Sequence, residues 1–306
     1  MSDKNLNERE ESSVNNSEIN VTHSEINSIE IKNLSRRFND QFTLNNVSFN
    51  VPKGSVVGFI GENGAGKSTT IRAVLGLLKK DSGEITVLGE DPYKMKPETK
   101  EKVGVVFDSI PFPSSLSANQ LDKVLKGIYR SWSSKDFFFY LNKFGLPAAS
   151  KISTFSKGME MRLSIAAALS HSPELLVLDE PTGGLDPVMR SEILDILLDF
   201  MQDENHSVLM STHITSDLEH IADYICFIHN GNIVFFEERN EMLEKYRILK
   251  CTEQQLAVID KSDIIGLHRG KFTNEVLTMA AGKYPDITAD TASIEDIMVY
   301  YVKEGV

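Results

Sequence analysis

Hydrophobic residues are unevenly spread along this chain, and their spacing predicts where strands and helices lie. Residues 1–28 are rich in Asn, Ser and Glu and carry few large apolar side chains. Such a segment cannot bury enough surface to offset the entropy of ordering it, so it is expected to be a disordered acidic tail. Short β-rich runs follow at Ile29–Ile31 and at 42–51. Folded structure is therefore expected to begin at residue 29.

Three short apolar runs that do not alternate with polar residues predict strands buried on both faces. They are Val56–Ile60, Leu175–Leu178 and Ser207–Ser211, and helical patterns occur near 70–78 and 193–201. Runs of this kind are typical of a parallel sheet covered by helices. The chain is therefore predicted to be an α/β protein.

The remaining segments suggest a division into regions. A nucleotide-binding domain is expected over 29–236, with a helical subdomain at about 109–170, and a small C-terminal accessory region over 237–306. The aromatic run Phe137–Tyr140 either belongs to the core of the helical subdomain or forms part of a groove for a partner protein, because one helix face cannot bury all of it. The sequence leaves that choice open.

Composition narrows the function further. The formal net charge of −12 would repel a polyanion, so no nucleic-acid partner is expected. Cys226 and Cys251 are the only cysteines, which excludes a disulfide framework and suits a reducing compartment. No apolar run reaches the 18 residues of a membrane span, and the chain does not open with a basic and apolar leader. The chain is expected neither to span a membrane nor to enter a secretory pathway by itself.

The strongest chemical signal is a glycine-rich segment directly after Val56–Ile60. Residues 61–68, Gly-Glu-Asn-Gly-Ala-Gly-Lys-Ser, fit the P-loop pattern at each fixed position. Glycines let the backbone wrap closely round an anion, so that N–H groups and a helix N-terminus face phosphate oxygens. Lys67 is expected to meet the β- and γ-phosphates of ATP, and Ser68 a Mg²⁺ ion. The predicted nucleotide-binding residues of the loop are Gly61, Asn63, Gly64, Ala65, Gly66, Lys67, Ser68 and Thr69.

Two adjacent acids at the end of the second buried run indicate hydrolysis. Asp179 and Glu180 follow Leu175–Leu178 directly, and Pro-Thr-Gly-Gly-Leu-Asp-Pro follows them over residues 181–187. Adjacent carboxylates at a strand end can divide their roles, since one can hold Mg²⁺ while the next reaches an attacking water as a general base. Asp179 is a predicted metal ligand and Glu180 a predicted catalytic residue. The alternative is that both acids are merely solvated.

The order of these motifs resembles the ABC ATPase family over roughly residues 29–236. Phe155–Met159 resembles the family's signature segment, and 183–186 resembles the loop that communicates between its two sites. The resemblance implies that Ser156 and Gly158 bind the γ-phosphate of a nucleotide held by the opposite subunit. A hydroxyl, a small residue and a helix N-terminus fit that role.

The resemblance also assigns roles to three further positions. The chain departs from the family's pattern at one of them and within the signature segment. His213 resembles the switch histidine that contacts the γ-phosphate, and Phe38 aligns with the aromatic position that stacks on adenine. Asp108 stands where the family has a glutamine; it can still ligate Mg²⁺ or its water, although it is shorter and charged. Lys157 and Met159 replace Gly and Gln of the signature, and similar substitutions occur in antibiotic, lantibiotic and peptide-export subunits.

The resemblance implies a P-loop NTPase with an antiparallel β-subdomain, a RecA-like parallel-sheet core and a short helical subdomain. It implies ATP and Mg²⁺, a second nucleotide-binding subunit, identical or different, and polytopic permease subunits. The chain would then act at the cytoplasmic face of the cell membrane and power transport, with export of a peptide, antibiotic or other amphipathic compound favoured. It names no cargo.

Three alternatives are weighed against this interpretation. An ABC protein of DNA repair would carry a long coiled-coil or zinc insertion between the motifs, and a ribosomal ABC ATPase would usually carry two cassettes, whereas one P-loop is found here. A hydrolysis-poor regulatory subunit is favoured only by Asp108 and Lys157. The presence of Lys67, Asp179, Glu180 and His213 argues against it.

Overall fold

The structure is a computed structural model that describes residues 27–38 and 43–303. The tail predicted over residues 1–28 lies outside the described residues except at its end, where Asn27 and Ser28 already belong to the first strand. The first strand thus includes two residues predicted to belong to the tail, and the buried Ser28 hydroxyl hydrogen-bonds the hydroxyl of Ser207 at 2.8 Å.

Strands and helices of the described residues follow one another along the whole chain. The strands are β1 (Asn27–Arg37), β2 (Thr43–Pro52), β3 (Val56–Ile60), β4 (Ser82–Val87), β5 (Val103–Val106), β6 (Leu175–Asp179), β7 (Ser207–Thr212), β8 (Tyr224–His229), β9 (Asn232–Glu238), β10 (Arg247–Cys251), β11 (Gly266–Arg269), β12 (Asn274–Thr278) and β13 (Thr288–Thr291). The helices are α1 (Lys67–Val74), α2 (Pro97–Lys100), α3 (Ala118–Ile128), α4 (Ser134–Lys143), α5 (Lys157–Leu169), α6 (Pro187–Phe200), α7 (Thr215–Ile221), α8 (Arg239–Lys245), α9 (Glu253–Leu256) and α10 (Ile294–Lys303).

A six-stranded sheet in the order β5-β6-β7-β3-β8-β9 forms the centre of the molecule. Its strands are parallel except for β9, which pairs with β8 in the antiparallel sense. Val57 and Phe59 face one core, whereas Val56 and Ile60 face another. Because both faces are covered, the strands read as unbroken apolar runs, as the sequence predicts.

The three-stranded antiparallel sheet β2-β1-β4 covers one face of the central sheet. Its inward residues share a core with α1, and the rings of Phe49 and Phe59 lie 5.0 Å apart. Helix α1 begins at Lys67 and ends at Val74, earlier at both ends than the predicted 70–78. The shift follows from its glycines, since Gly66 (φ 120°) precedes the first turn and Gly76 (φ 69°) follows the last.

The helical subdomain is built from α3, α4 and α5. A capping box between Ser117 and Gln120 starts α3, and the indole N–H of Trp132 donates to Asp122 at 2.9 Å. The aromatic run of α4 is divided by the helix period: Phe137 is fully buried, whereas Phe139 is 58% exposed. The buried member is therefore core, and the exposed one is left at the surface.

The C-terminal region forms a third sheet, in the order β11-β12-β10-β13, with its own small core. It is also joined to the main domain, since Ile294, Ile297 and Tyr300 of α10 enter the core that α7 and β8 share. Tyr246 and Tyr301 meet through their hydroxyl groups at 3.0 Å.

Two further features bear on chemistry. Cys226 and Cys251 are both buried, and burial raises the pKa of each thiol. None of the helices in the described part of the chain is both long and apolar enough to cross a bilayer.

Candidate nucleotide site

The candidate site lies where three neighbouring parallel strands end. Strand β7 pairs with both β3 and β6, so the carboxyl ends of all three meet at one edge of the sheet. The P-loop follows β3, the adjacent acids end β6, and the predicted switch histidine follows β7. Ligands of open α/β sheets bind at this edge.

The P-loop owes its path to its glycines. Gly64 and Gly66 have φ angles of 85° and 120°, which side-chain-bearing residues rarely adopt. A Cβ atom at Gly61 would lie 2.4 Å from the carbonyl oxygen of Ile228, so only glycine fits there. No side chain caps the N-terminus of α1. Its first N–H groups are thus placed to bind an anion.

Lys67 is held inside the loop. Its ammonium donates to the carbonyl oxygens of Gly61 at 2.7 Å and Glu62 at 3.3 Å, and it lies 3.3 Å from Oε1 of Glu180. The side chain is 5% exposed. A buried cation surrounded by oxygens at a helix N-terminus suits the phosphates of a nucleotide.

Oxygen ligands converge beside this lysine. Ser68 and Ser211 both donate hydrogen bonds to Oδ1 of Asp179, at 3.1 and 2.6 Å. A hydroxyl and a carboxylate in contact are ligands that Mg²⁺ accepts, and the ion usually keeps waters and binds phosphate oxygens as well. The residues predicted to hold the ion therefore fit it. Asp108 and Ser68 line one cavity, which is described below.

Glu180 and His213 lie in contact at the same edge of the sheet. Nδ1 of His213 lies 2.6 Å from Oε2 of Glu180. The backbone N–H of Glu180 donates to the carbonyl and hydroxyl oxygens of Ser211, both at 3.1 Å. Glu180 has a φ of 55°, a strained conformation for glutamate that this anchoring maintains.

A cavity of about 490 Å³ unites most of the predicted residues. Its lining comprises Glu62, Asn63, Gly64, Gly66, Lys67, Ser68, Thr69, Asp108 and Glu180. Asp179 lies behind it, buried, and His213 reaches it through Glu180. Gly61 and Ala65 do not line the cavity. They instead contact Ile228 and Gly231.

Three further predicted residues, besides Gly61, Ala65, Asp179 and His213, do not line this cavity. Ser156 caps the N-terminus of α5, where its hydroxyl accepts from the N–H of Met159 at 3.3 Å, and it is exposed. A Cβ at Gly158 would lie 3.2 Å from Leu185. Phe38 is half exposed, with the Arg36 guanidinium 5.5 Å from its ring centre.

Sequence reasoning misses a buried carboxyl group that connects α7 with α6 and with the loop after β6. Asp217 on α7 accepts a hydrogen bond from the Thr182 hydroxyl at 2.7 Å and lies 3.7 Å from Nε of Arg190 on α6. Burial raises the pKa of this carboxyl, against the opposing effect of its partners. An acid at the start of a short helix carries no sequence signal for such a contact. Ser211 is also missed, although its place beside Thr212 and His213 could have pointed to it.

Comparison with known proteins agrees with this geometry. The family described as ABC transporter matches residues 44–183. The bacitracin transport ATP-binding protein BcrA of Bacillus licheniformis is 33% identical over 78% of this chain and 80% of its own length. The lantibiotic transport ATP-binding protein SrtF of Streptococcus pyogenes is 39% identical over 69% of this chain and 90% of its own.

Solved structures give the same result. An ATP-binding subunit of an ABC transporter superposes with a TM-score of 0.64 at 27% identity, covering 71% of this chain and 92% of that chain. A dimeric bacterial ABC transporter cassette superposes with a TM-score of 0.61 at 25% identity, covering 69% and 98%. The fold, the site and these relatives agree that the chain belongs to the ABC transporter family, as its nucleotide-binding, ATP-hydrolysing subunit.

Proposed function

We propose that this chain powers the export of an amphipathic peptide or antibiotic, acting at the cytoplasmic face of the cell membrane through separate permease subunits. The observation that carries the proposal is the meeting of Lys67, Ser68 and Glu180 at one cavity, with the buried Asp179 in contact with Ser68 behind it. Relatives named for bacitracin and lantibiotic transport support the cargo class.

Binding of ATP follows from the P-loop. The N-terminus of α1 and the Lys67 ammonium would bind the phosphates, and Phe38 would stack on adenine from the antiparallel sheet. Ser68, Asp179 and Asp108 would hold Mg²⁺, which when bound neutralises phosphate charge. Ser211 keeps Asp179 oriented, since its hydroxyl donates to Oδ1 at 2.6 Å.

Hydrolysis requires a base and a group that orients it. Glu180 directly follows β6, with its side chain beside Lys67 and its Oε2 2.6 Å from His213 Nδ1. Glu180 therefore accepts the proton of the attacking water, and His213 positions Glu180 and contacts the γ-phosphate. Release of the γ-phosphate removes the anion that held these groups together.

A second nucleotide-binding subunit completes the site. Ser156 and Gly158 stand at the exposed N-terminus of α5, outside the cavity that the P-loop lines. An exposed serine hydroxyl and a helix N-terminus suit a γ-phosphate brought by another subunit. The ATP-bound assembly is therefore a sandwich in which each P-loop faces the partner's signature.

A groove beside Asp108 is proposed to receive the permease. It has a volume of about 270 Å³ and is lined by apolar side chains that include Leu77, Met95, Val105, Phe107 and Tyr129. Leu77 is 66% exposed at its rim. Since Phe107 precedes Asp108, a helix docked here would sense events at the nucleotide.

The first experiment compares wild-type protein with Glu180→Gln, using Glu219→Gln on the exposed face of α7 as a matched control. Removing the base should lower Mg²⁺-dependent ATP turnover by about 10² to 10⁴-fold. Glu180→Gln should shift from monomer to dimer with ATP in sedimentation, and this dimer should copurify with a polytopic membrane protein from native membranes.

Contradicting results are equally concrete. Wild-type turnover no higher than that of Glu180→Gln would support a regulatory subunit. Copurification of ribosomes or DNA-associated proteins without a membrane protein would overturn the transporter proposal.

A further inference from the structure

The turn between β8 and β9 supports the P-loop from below. The N–H of Gly231 donates to the carbonyl of Ala65 at 2.9 Å, and the carbonyl of Ile228 closely approaches Gly61. His229 lies between these two contacts at the end of β8. One hairpin therefore contacts the P-loop at two points, at its first residue and at its middle.

The surroundings of His229 fix where its proton lies. The Asn230 amide Nδ2 lies 2.8 Å from Nε2, and because an amide NH₂ group only donates, Nε2 must accept. The neutral ring then carries its hydrogen on Nδ1. This atom is buried, makes no hydrogen bond among the described residues, and lies 3.5 Å from Oε2 of Glu62.

Glu62 is the second residue of the P-loop and lines the phosphate cavity. Its carbonyl oxygen is fixed by Lys67 and by the N–H of Ala65 at 3.1 Å. Its side chain, 55% exposed, remains free to turn toward His229 or toward the cavity. A carboxylate that turned into the cavity would repel phosphates.

We infer that His229 is a positioning residue for nucleotide binding, which holds the Glu62 carboxylate out of the phosphate path. A closure of a few tenths of an ångström turns the 3.5 Å contact into a hydrogen bond. The side chain of His229 is only 10% exposed, so the donor is shielded from competing water. The inference rests on the nucleotide binding proposed for this cavity.

The test measures the dissociation constant of a fluorescent ATP analogue for the purified full chain. His229→Leu removes the donor and should weaken binding about three- to tenfold, as expected for one additional negative charge near the phosphates. His229→Asn keeps an N–H near the position of Nδ1 and should bind within about twofold of wild type. His268→Leu, at an exposed histidine of β11, is the matched control.

A second substitution separates positioning from packing. Glu62→Gln added to His229→Leu removes the freed charge, so affinity should return to within about twofold of wild type. If the double variant binds as weakly as His229→Leu, the effect is structural and the inference is overturned. Wild-type affinity in His229→Leu would overturn it as well.

Two measurements keep the result interpretable. His229→Phe retains a flat ring without the donor and serves the same test if His229→Leu does not fold. Absence of nucleotide binding by the wild-type chain would contradict the proposed function. If the wild-type chain binds nucleotide and the His229 variants bind it equally well, only this inference is contradicted.

Discussion

The Ser211 hydroxyl contacts both of the adjacent acidic residues at once. It donates to Oδ1 of Asp179 at 2.6 Å and accepts from the backbone N–H of Glu180 at 3.1 Å. The proposed metal ligand and the backbone of the proposed base are thus held by one atom on the neighbouring strand. Supporting residues of this kind hold a site within the small tolerances that catalysis needs.

Ser211→Ala should therefore lower ATP turnover by about tenfold or more, because a hydrogen bond to a charged group contributes about 1.5–3 kcal/mol. Nucleotide affinity without Mg²⁺ should change little, since the hydroxyl does not line the phosphate cavity. Steady-state kinetics and a binding titration measure the two effects. Ser216→Ala, at an exposed serine of α7, is the control, and equal turnover in both variants would contradict the role of Ser211.

His171 lies at the junction of the helical subdomain and the central sheet. It is buried, stacks on Tyr129 with ring centres 4.3 Å apart, and its Nδ1–H donates to the carbonyl of Glu101 at 2.8 Å. Burial lowers the pKa of this imidazole, because the charged form cannot be solvated there. The fold therefore favours the neutral ring.

Acid should weaken this junction. A lowered pKa contributes stability that is present above the unfolded-state pKa of about 6.5 and is lost as pH falls through the folded-state pKa. Wild-type unfolding free energy should thus drop more steeply between pH 7.5 and 5 than that of His171→Phe, which keeps a stacking ring. Urea unfolding at each pH measures the slopes, with the exposed His268→Phe as control. Identical pH dependence of the unfolding free energy in the wild type and His171→Phe would contradict a lowered pKa of His171 in the folded state.

At the scale of elements, the sequence predicts best where apolar runs are short and bounded. The strand Val56–Ile60 is predicted to the residue, since a glycine-rich loop ends it. The helix expected over 70–78 begins at Lys67, because the P-loop turn itself forms its first residues. Periodicity cannot show this, as Lys67, Ser68 and Thr69 are polar.

Contacts between distant elements are harder to predict. The motifs at 61–68 and 179–180 are readable from residue types, but the sheet order that brings them together is not. Likewise, nothing near Asp217 in the sequence indicates Thr182 as its partner, since that contact depends on how α7 packs. The roles of Ser156, Gly158 and Phe38 stay predictions, because they concern a nucleotide and a second subunit.

At the scale of the whole molecule, helix α10 of the C-terminal region shares a core with the nucleotide-binding domain. Ile297 of α10 is fully buried in the same cluster as Trp132 of the helical subdomain, the only tryptophan of the chain. A shared core favours one cooperative unfolding transition over two. The C-terminal region is thus expected to contribute to the stability of the nucleotide-binding domain.

Ile297→Ala should lower the free energy of unfolding by about 2–5 kcal/mol, as for other large-to-small core substitutions. The change should appear in the fluorescence of Trp132, far from the substituted residue along the chain, because unfolding is cooperative. Val299→Ala on the same helix is the control, since Val299 is partly exposed and less tightly packed. A fluorescence transition unmoved by Ile297→Ala would mean that the two regions unfold independently.

Burial of both thiols should also make the native chain unreactive toward alkylating reagents. Cys226 and Cys251 have raised pKa values, and neither reaches the surface, so a maleimide should react only after unfolding. A cysteine placed at Phe272, exposed at the tip of the β11–β12 hairpin, would then be the sole attachment point for a dye. Distances between such dyes on two chains could report, in real time, how the assembly opens and closes during turnover.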